Sequence, residues 1–405
     1  MSATLHMEKL CNVAELNPKF KEKLKSDSSV SFVPMAAVLA EMSTVTGEEK
    51  QYCEVSKGYT SFVDGDVLVA KITPCFENGK ITQAKLKNRV GFGSTEFHVV
   101  RPVEGKLDAR YLLHFLRQER IRLEGERKMT GSAGQRRVPA NFLGSLEIPL
   151  LPLPEQKRIA DILDRAEALR AKRRVTLDQL DELVQSIFIE MFGDPRSPTK
   201  RKNEKIRVRD VIDIIVPTRD KPKSFTGNIP WITLPDLANS IYIEDSKYKL
   251  SKEEARPTKT RLFPKETVIL SCAGSLGKVA ISTNEVYTNQ QFYGLVCDKK
   301  RIIPEFLAYY LLLLGEDYYR GISGTSILAF FKKESALNIE IMLPEISNQI
   351  HFSQTVKQIE KIKQSQQQSL LELNNLFDSL AHEAFTGKLF SHQLFEQEIE
   401  NGVKI

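Results

Sequence analysis

Cysteine is scarce here and poorly spaced for chemistry. The five residues, Cys11, Cys53, Cys75, Cys272 and Cys297, form no CxxC pair in 405 positions, which argues against both a zinc site and a disulfide framework. They are expected as buried reduced thiols. Long apolar runs are missing too. The longest, Leu307 to Leu314, falls well short of the ~20 residues that a spanning helix needs, and no signal-peptide h-region opens the chain. A cytoplasmic protein with no membrane partner is expected. Catalytic motifs are likewise absent: there is no GxGxxG after a strand, no HExxH and no GxSxG. Gly274-Ser275-Leu276-Gly277-Lys278 lacks the first glycine of a phosphate loop, and Val279 stands where Ser or Thr would hold magnesium. The six histidines have no metal spacing, and the acidic residues form no recognisable acid–base pair. No catalytic, cofactor-binding or metal residue is therefore expected in this chain.

What the sequence does contain is a repeat. The second half answers the first about 193 residues later, in four ordered landmarks: Val33-Pro34-Met35 with Ile229-Pro230-Trp231, Phe62 to Val69 with Phe263 to Leu270, Glu96-Phe97-His98 with Gln291-Phe292-Tyr293, and Thr130-Gly131-Ser132 with Ser323-Gly324-Thr325. From there to Phe192 and Phe385 the match has no gap. Its identities are few, among them Glu147/Glu340, Ile148/Ile341, Gln156/Gln349, Glu167/Glu360, Leu177/Leu370, Leu180/Leu373 and Leu183/Leu376. So long a period excludes solenoids and propellers and implies two whole domains with matching appendages.

The appendages read as long helices. After Pro149, Pro152 and Pro154 no proline or glycine follows until Gly193, a helix signature. The apolar seam Ile159, Ile162, Ala166, Leu169, Leu177, Leu180, Val184, Ile187, Met191 alternates three and four residues, broken only by Arg173. The same seam recurs as Phe352, Thr355, Ile359, Ile362, Leu370, Leu373, Phe377, Leu380, Ala384, with Gln366 at the break. Each helix is expected to be roughly 38 residues, about 57 Å. Two equal stripes pack most simply on each other. If antiparallel, they place a pseudo-two-fold axis near Arg173 and Gln366, which either fix the register or face solvent. The expected fold is α/β: two similar domains joined by two long antiparallel helices in a coiled coil. The expected boundaries are 1–150, a helix at 151–193, a linker at 194–204, a second domain at 205–343, a helix at 344–388 and a tail at 389–405. Ser347 is a credible N-cap for the second helix.

The net charge of +6 is modest but clustered. Arg117, Arg120, Arg122, Arg127, Lys128, Arg136 and Arg137 close the first half, and Lys200-Arg201-Lys202 with Lys205, Arg207 and Arg209 open the second. Such clusters suit phosphates, with a solvated basic face as the alternative. Polar loops add groups that read base edges or let a backbone approach phosphate. The candidate DNA contacts are Arg117, Arg120, Arg127, Lys128, Thr130, Ser132, Gln135, Arg136 and Arg137 in the first half. In the second they are Lys259, Arg261, Lys278, Asn289, Gln290, Gln291, Thr325, Ser326, Lys332 and Lys333.

Two segments resemble a known family, the specificity subunits of type I restriction-modification systems. Leu151-Pro152-Leu153-Pro154-Glu155-Gln156-Lys157-Arg158-Ile159 to Leu163 resembles that family's central helix start, and Asn228-Ile229-Pro230-Trp231-Ile232-Thr233-Leu234-Pro235-Asp236-Leu237 the opening of its target-recognition domain. The resemblance covers about residues 5 to 390. It implies two target-recognition domains, each reading half of a split double-stranded DNA site, held apart by two antiparallel helices. It also implies a non-catalytic role, recruiting two methyltransferase subunits and restriction subunits. S-adenosylmethionine, ATP and magnesium would belong to those partners. Two rivals remain: a coiled-coil tether binding proteins, and a self-contained DNA-modifying enzyme, for which the required motifs are missing.

Overall fold

The computed structural model describes residues 5–21, 23–132, 134–197, 204–218, 220–237, 240–323 and 330–389. Part of the 194–204 linker and all but the first residue of the 389–405 tail fall outside them. The chain forms two compact units, Met1–Arg174 with Ser369–Ile405, and Val175–Gln368. Each long helix thus contributes one half to each unit.

In the first unit a five-stranded sheet has the order Ala14–Leu16, Phe97–Pro102, Val67–Ala70, Ile81–Ala84, Thr44–Val45. Only its last pair is parallel. A four-stranded sheet runs Glu48–Gln51, Ser29–Val33, Val90–Gly93, Thr60–Val63, with the central pair parallel. The strand Val67–Ala70 is buried throughout because alternate residues point to opposite faces. Val67 and Val69 join the core under the helix Ala109–Leu116, and Leu68 joins a second core with Phe62 and Phe97.

The second unit repeats this plan strand for strand. Its five-stranded sheet has the order Ile212–Ile215, Phe292–Cys297, Val268–Ser271, Val279–Ser282, Tyr242–Ile243, and again only the last pair is parallel. Its four-stranded sheet is Lys249–Leu250, Ile229–Ile232, Val286–Thr288, Leu262–Phe263, with the central pair parallel. Val268 and Leu270 face one core and Ile269 the other. One landmark shifts. Val33 pairs with Gly93 as Ile232 pairs with Thr288, so Pro34 corresponds to Thr233; Pro230 lies inside its strand.

The first long helix spans Leu153–Phe192, 40 residues, and the second Ile346–Thr386, 41 residues. Gly193 (φ 92°) and Gly387 (φ 74°) end them in the left-handed conformation that an L side chain resists. The Asn348 and Gln349 amides donate to the Glu345 carbonyl, so Ser347 lies within the first turn and is not the N-cap. In Val175–Gln368 the helix segments run antiparallel: Asp181 meets Lys363, and Phe188 and Phe192 meet Phe352. The other unit has the same order. Arg170 Nε donates to Asn374 Oδ1 at 2.7 Å, while Ile159 and Leu163 share a core with Ala384 and Phe385.

The seam differs from the expected one in the first half of each helix. Leu169 and Ile362 are 52% and 49% exposed; Leu183 and Leu376, outside the expected seam, are exposed as well. Of the expected seam Ile159, Ala166, Phe352 and Ile359 are buried, joined by Ala160, Leu163 and Glu167 in one helix and Ser353, Val356 and Glu360 in the other. The reason is docking: this half of each helix packs on its own sheet domain, whose contact face is rotated from the stripe that a bare helix pair would use. Ile162 is half-buried. In the other half of each helix Val184 is buried, while Leu177, Leu180, Ile187, Leu370, Leu373, Phe377 and Leu380 are half-buried. Arg173 and Gln366, both half-buried, belong to different units. One turn before these positions stand half-buried Arg170, 4.4 Å from the Phe377 ring centroid, and its buried counterpart Lys363.

Two identities of the repeat, Gln156/Gln349 and Glu167/Glu360, are buried polar pins. Gln156 Oε1 accepts the Asp108 amide at 2.8 Å, and its Nε2 donates to the Lys106 and Leu151 carbonyls. Gln349 does the same with the Ile303 amide and the Arg301 and Pro344 carbonyls. Glu167 and Glu360 each accept a serine hydroxyl at 2.7 Å, from Ser43 and Ser240. A further pair is reversed in sign: Arg110 meets Asp164 at 3.0 Å, whereas Glu305 meets Lys357 at 3.1 Å. A long helix docked on the other domain would therefore face like charge.

Candidate nucleic-acid interface

In the first unit the basic loop is built as a small hairpin. Thr130 and Arg137 exchange main-chain hydrogen bonds at 3.0 and 2.8 Å. Gly131 turns the chain at φ 127°, where a Cβ would stand 2.7 Å from the Gln135 carbonyl oxygen. Arg137 anchors the base by two hydrogen bonds to Glu96, at 2.9 and 2.8 Å, which hold the Glu96 carboxyl below its ordinary range. The Arg136 carbonyl accepts from Thr73. The neighbouring helix Glu119–Lys128 is fixed by Gly125 packed on Phe76 and by Arg122 donating to the Glu77 carbonyl. One edge therefore presents Arg127, Lys128, Thr130, Ser132, Gln135 and Arg136, all exposed, with exposed Arg120 on the same helix.

Two of the sequence candidates in this half are committed elsewhere. Arg117 is mostly buried and bonds Glu167 at 2.8 Å and Ser43 at 3.2 Å, which makes it a domain-to-helix clamp. Arg137 holds the loop rather than presenting itself.

In the second unit the turn joining Val268–Ser271 to Val279–Ser282 carries exposed Lys278. It joins two antiparallel strands, not a strand and a helix. The Ser271 hydroxyl, which accepts from the Lys278 amide and donates to the Ser275 carbonyl, shapes it. Cys272 binds this turn to Gln291 and to Phe331, bringing Lys278, exposed Gln290 and exposed Lys332 and Lys333 to one region. Asn289 and Gln291 are spent on each other, at 2.9 and 3.0 Å. Lys259 and Arg261 are exposed on the turn before the edge strand Leu262–Phe263. Thr325 and Ser326, equivalent to Ser132 and its neighbour in the repeat, lie outside the described residues.

The other polar groups serve the fold. His98 bonds the Val138 carbonyl at 2.9 Å, and His114 bonds Asp164 at 2.7 Å. Only Cys272 and Cys297 are buried, which pushes their thiols up to about 12; Cys11 and Cys53 are exposed, contrary to expectation, and Cys75 is half-buried. No group of three His, Cys, Asp or Glu among the described residues could hold a metal, and no described helix is long and apolar enough to cross a membrane.

Two frames of one topology thus each carry exposed basic and amide side chains on their loops. The family described as type I restriction modification DNA specificity domain matches residues 7–179 and 200–375, once per repeat. The chain belongs to this family. Among its relatives, the EcoEI specificity subunit of Escherichia coli is 40% identical over 185 residues, 44% of this chain and 31% of that one. The EcoAI specificity subunit of Escherichia coli is 38% identical over the same length and shares. The chain thus spans about a third of the length of these relatives. The crystal structure of a type I restriction-modification S subunit from M. genitalium is 15% identical, with TM-score 0.56 over 95% of this chain and 96% of that one, a likeness of fold.

Proposed function

We propose that this chain is the DNA specificity subunit of a type I restriction-modification complex, each domain reading one half of a bipartite double-stranded site. The observation that carries this is the duplicated frame with unlike loops. Identical buried pins keep the two domains alike, while Ser132, Gln135 and Arg136 in one and Lys278 and Gln290 in the other give each its own donors and acceptors. The chain itself is non-catalytic. S-adenosylmethionine, ATP and magnesium act in methyltransferase and restriction partners, in keeping with a sequence that has no cofactor or nuclease motif.

Binding should depend steeply on salt. Replacing Arg127, Lys128 and Arg136 together by alanine should lower the slope of log K against log salt by about 2–3, since each phosphate contact contributes roughly 0.9. A mobility-shift series across salt checks this, and an unchanged slope would remove this edge from the interface.

Two methyltransferase copies fit the exposed apolar residues of the long helices. One unit presents Leu169 and Leu376, the other the equivalent Ile362 and Leu183. Leu169→Glu with Leu376→Glu should leave the fold intact and halve the methyltransferase that co-purifies. Two copies still bound per chain would refute this assignment.

A further inference from the structure

The second domain has a cleft of about 300 Å³ beside its polar loop, with Phe225, Trp231 and Tyr248 as its apolar wall and Thr233, Asn289, Gln290 and Lys221 completing it. The wall is a packed aromatic set. Phe225 lies 5.8 Å from Trp231 and 5.2 Å from Tyr248 between ring centroids. Trp231 is only 4% exposed, whereas Tyr248 is 45% exposed and open to a partner. Lys221 is exposed at the cleft, and Lys247 stands 5.6 Å from the Tyr248 ring. These cations repel a cationic ligand, so the aromatic set is not a cage for an ammonium group. They favour an apolar group carried beside negative charge.

A DNA groove edge offers one such group, the 5-methyl of thymine, flanked by backbone phosphates. Gln290 is exposed at the rim, while the neighbouring amides of Asn289 and Gln291 bond each other. A glutamine amide reads adenine N6 and N7 in bidentate fashion, and adenine is the partner of thymine in the same base pair. The first domain lines the equivalent place differently. Its Phe32, at the strand position of Trp231, is covered by Lys50 at 4.3 Å and by the edge of Tyr59 at 4.9 Å.

We propose that this cleft reads an A·T pair in the half-site of the second domain, the thymine methyl against Tyr248 and Phe225 and the adenine edge on Gln290. The inference rests on the specificity-subunit reading and deepens it. The test uses the chain assembled with its methyltransferase, on duplexes carrying the motif that methylome sequencing defines. Each thymine of the second half-site is replaced in turn by deoxyuridine, which removes only the methyl. One replacement should weaken binding about fivefold or more. Tyr248→Ala should weaken the thymine duplex equally and be indifferent to deoxyuridine at that position. Gln290→Ala should relax the motif at one base pair, leaving the first half-site unchanged. Binding insensitive to every deoxyuridine, or a second half-site without an A·T pair, would overturn the proposal while leaving DNA reading intact. A motif without two defined halves would overturn both. The deoxyuridine series needs no altered protein, so a misfolded variant cannot obscure it.

Discussion

Replacing Gln156 or Gln349 by leucine is expected to destabilise the unit that holds it by about 3–5 kcal/mol. Leucine is close to glutamine in size, so the cost is not a cavity. It comes from one main-chain N–H and two carbonyls that lose their partner in part-buried positions, each worth up to about 1–3 kcal/mol, partly offset by the apolar replacement. Both side chains are fully buried, and in each unit they tie the start of a long helix to the loop before the helix of the sheet domain. Hydrogen exchange should show the loss only in the altered unit, around 106–108 for Gln156→Leu and 301–303 for Gln349→Leu. A change below about 1 kcal/mol would mean that the carbonyls find other partners.

The second large effect is expected at Lys363. Its ammonium, on a side chain 4% exposed, hydrogen-bonds Asp181 and stands 3.2 Å from Glu360 Oε1. Lys363→Met leaves the buried Glu360 carboxylate without its ammonium partner, keeping the Ser240 hydroxyl, which should cost about 3–5 kcal/mol. Adding Glu360→Leu should recover much of the loss, because replacing a whole buried pair by apolar groups is often near neutral. The pH dependence has a definite sign. Burial lowers the lysine, but the Asp181 hydrogen bond and the Glu360 and Asp181 charges outweigh it and raise it above the ordinary 10.5. Its contribution is therefore complete below that value and lost as pH climbs through the higher folded value. Denaturant midpoints measured upward from pH ~10 should fall for the parent chain and lose this component in Lys363→Met.

Much of this was legible in sequence, though for reasons that differ by element. The repeat, the long helices and their glycine ends followed from spacing, because proline, glycine and a 3.6-residue period act locally, whereas the start of the second helix lies before Ser347. The identities Gln156/Gln349 and Glu167/Glu360 were visible as letters, yet nothing local says that they pin a helix to a loop about 50 residues away. Leu169 and Ile362 fit a bare coiled-coil stripe, and only the docking of each helix on its own sheet turns them outward. The reversed pair Arg110–Asp164 and Glu305–Lys357 was hidden because it joins segments whose offsets differ. Among the interface candidates, Arg127, Lys128 and Arg136 are exposed, with Arg136 3.7 Å from Glu77. Arg117, Arg137, Asn289 and Gln291 show that an arginine or amide reads bases only if the fold leaves it unpaired, which composition cannot reveal. The aromatic cleft has no local sequence signature, because Phe225, Trp231 and Tyr248 come together through the edge of the four-stranded sheet.

The reading of two half-sites by one duplicated chain is tested most directly by sequencing the methylome of a host with and without this gene, its methyltransferase partner present in both. The expected result is one bipartite motif, two different defined halves around an unspecified gap, that disappears with the gene. A contiguous motif, or a bipartite motif that persists without the gene, would contradict it.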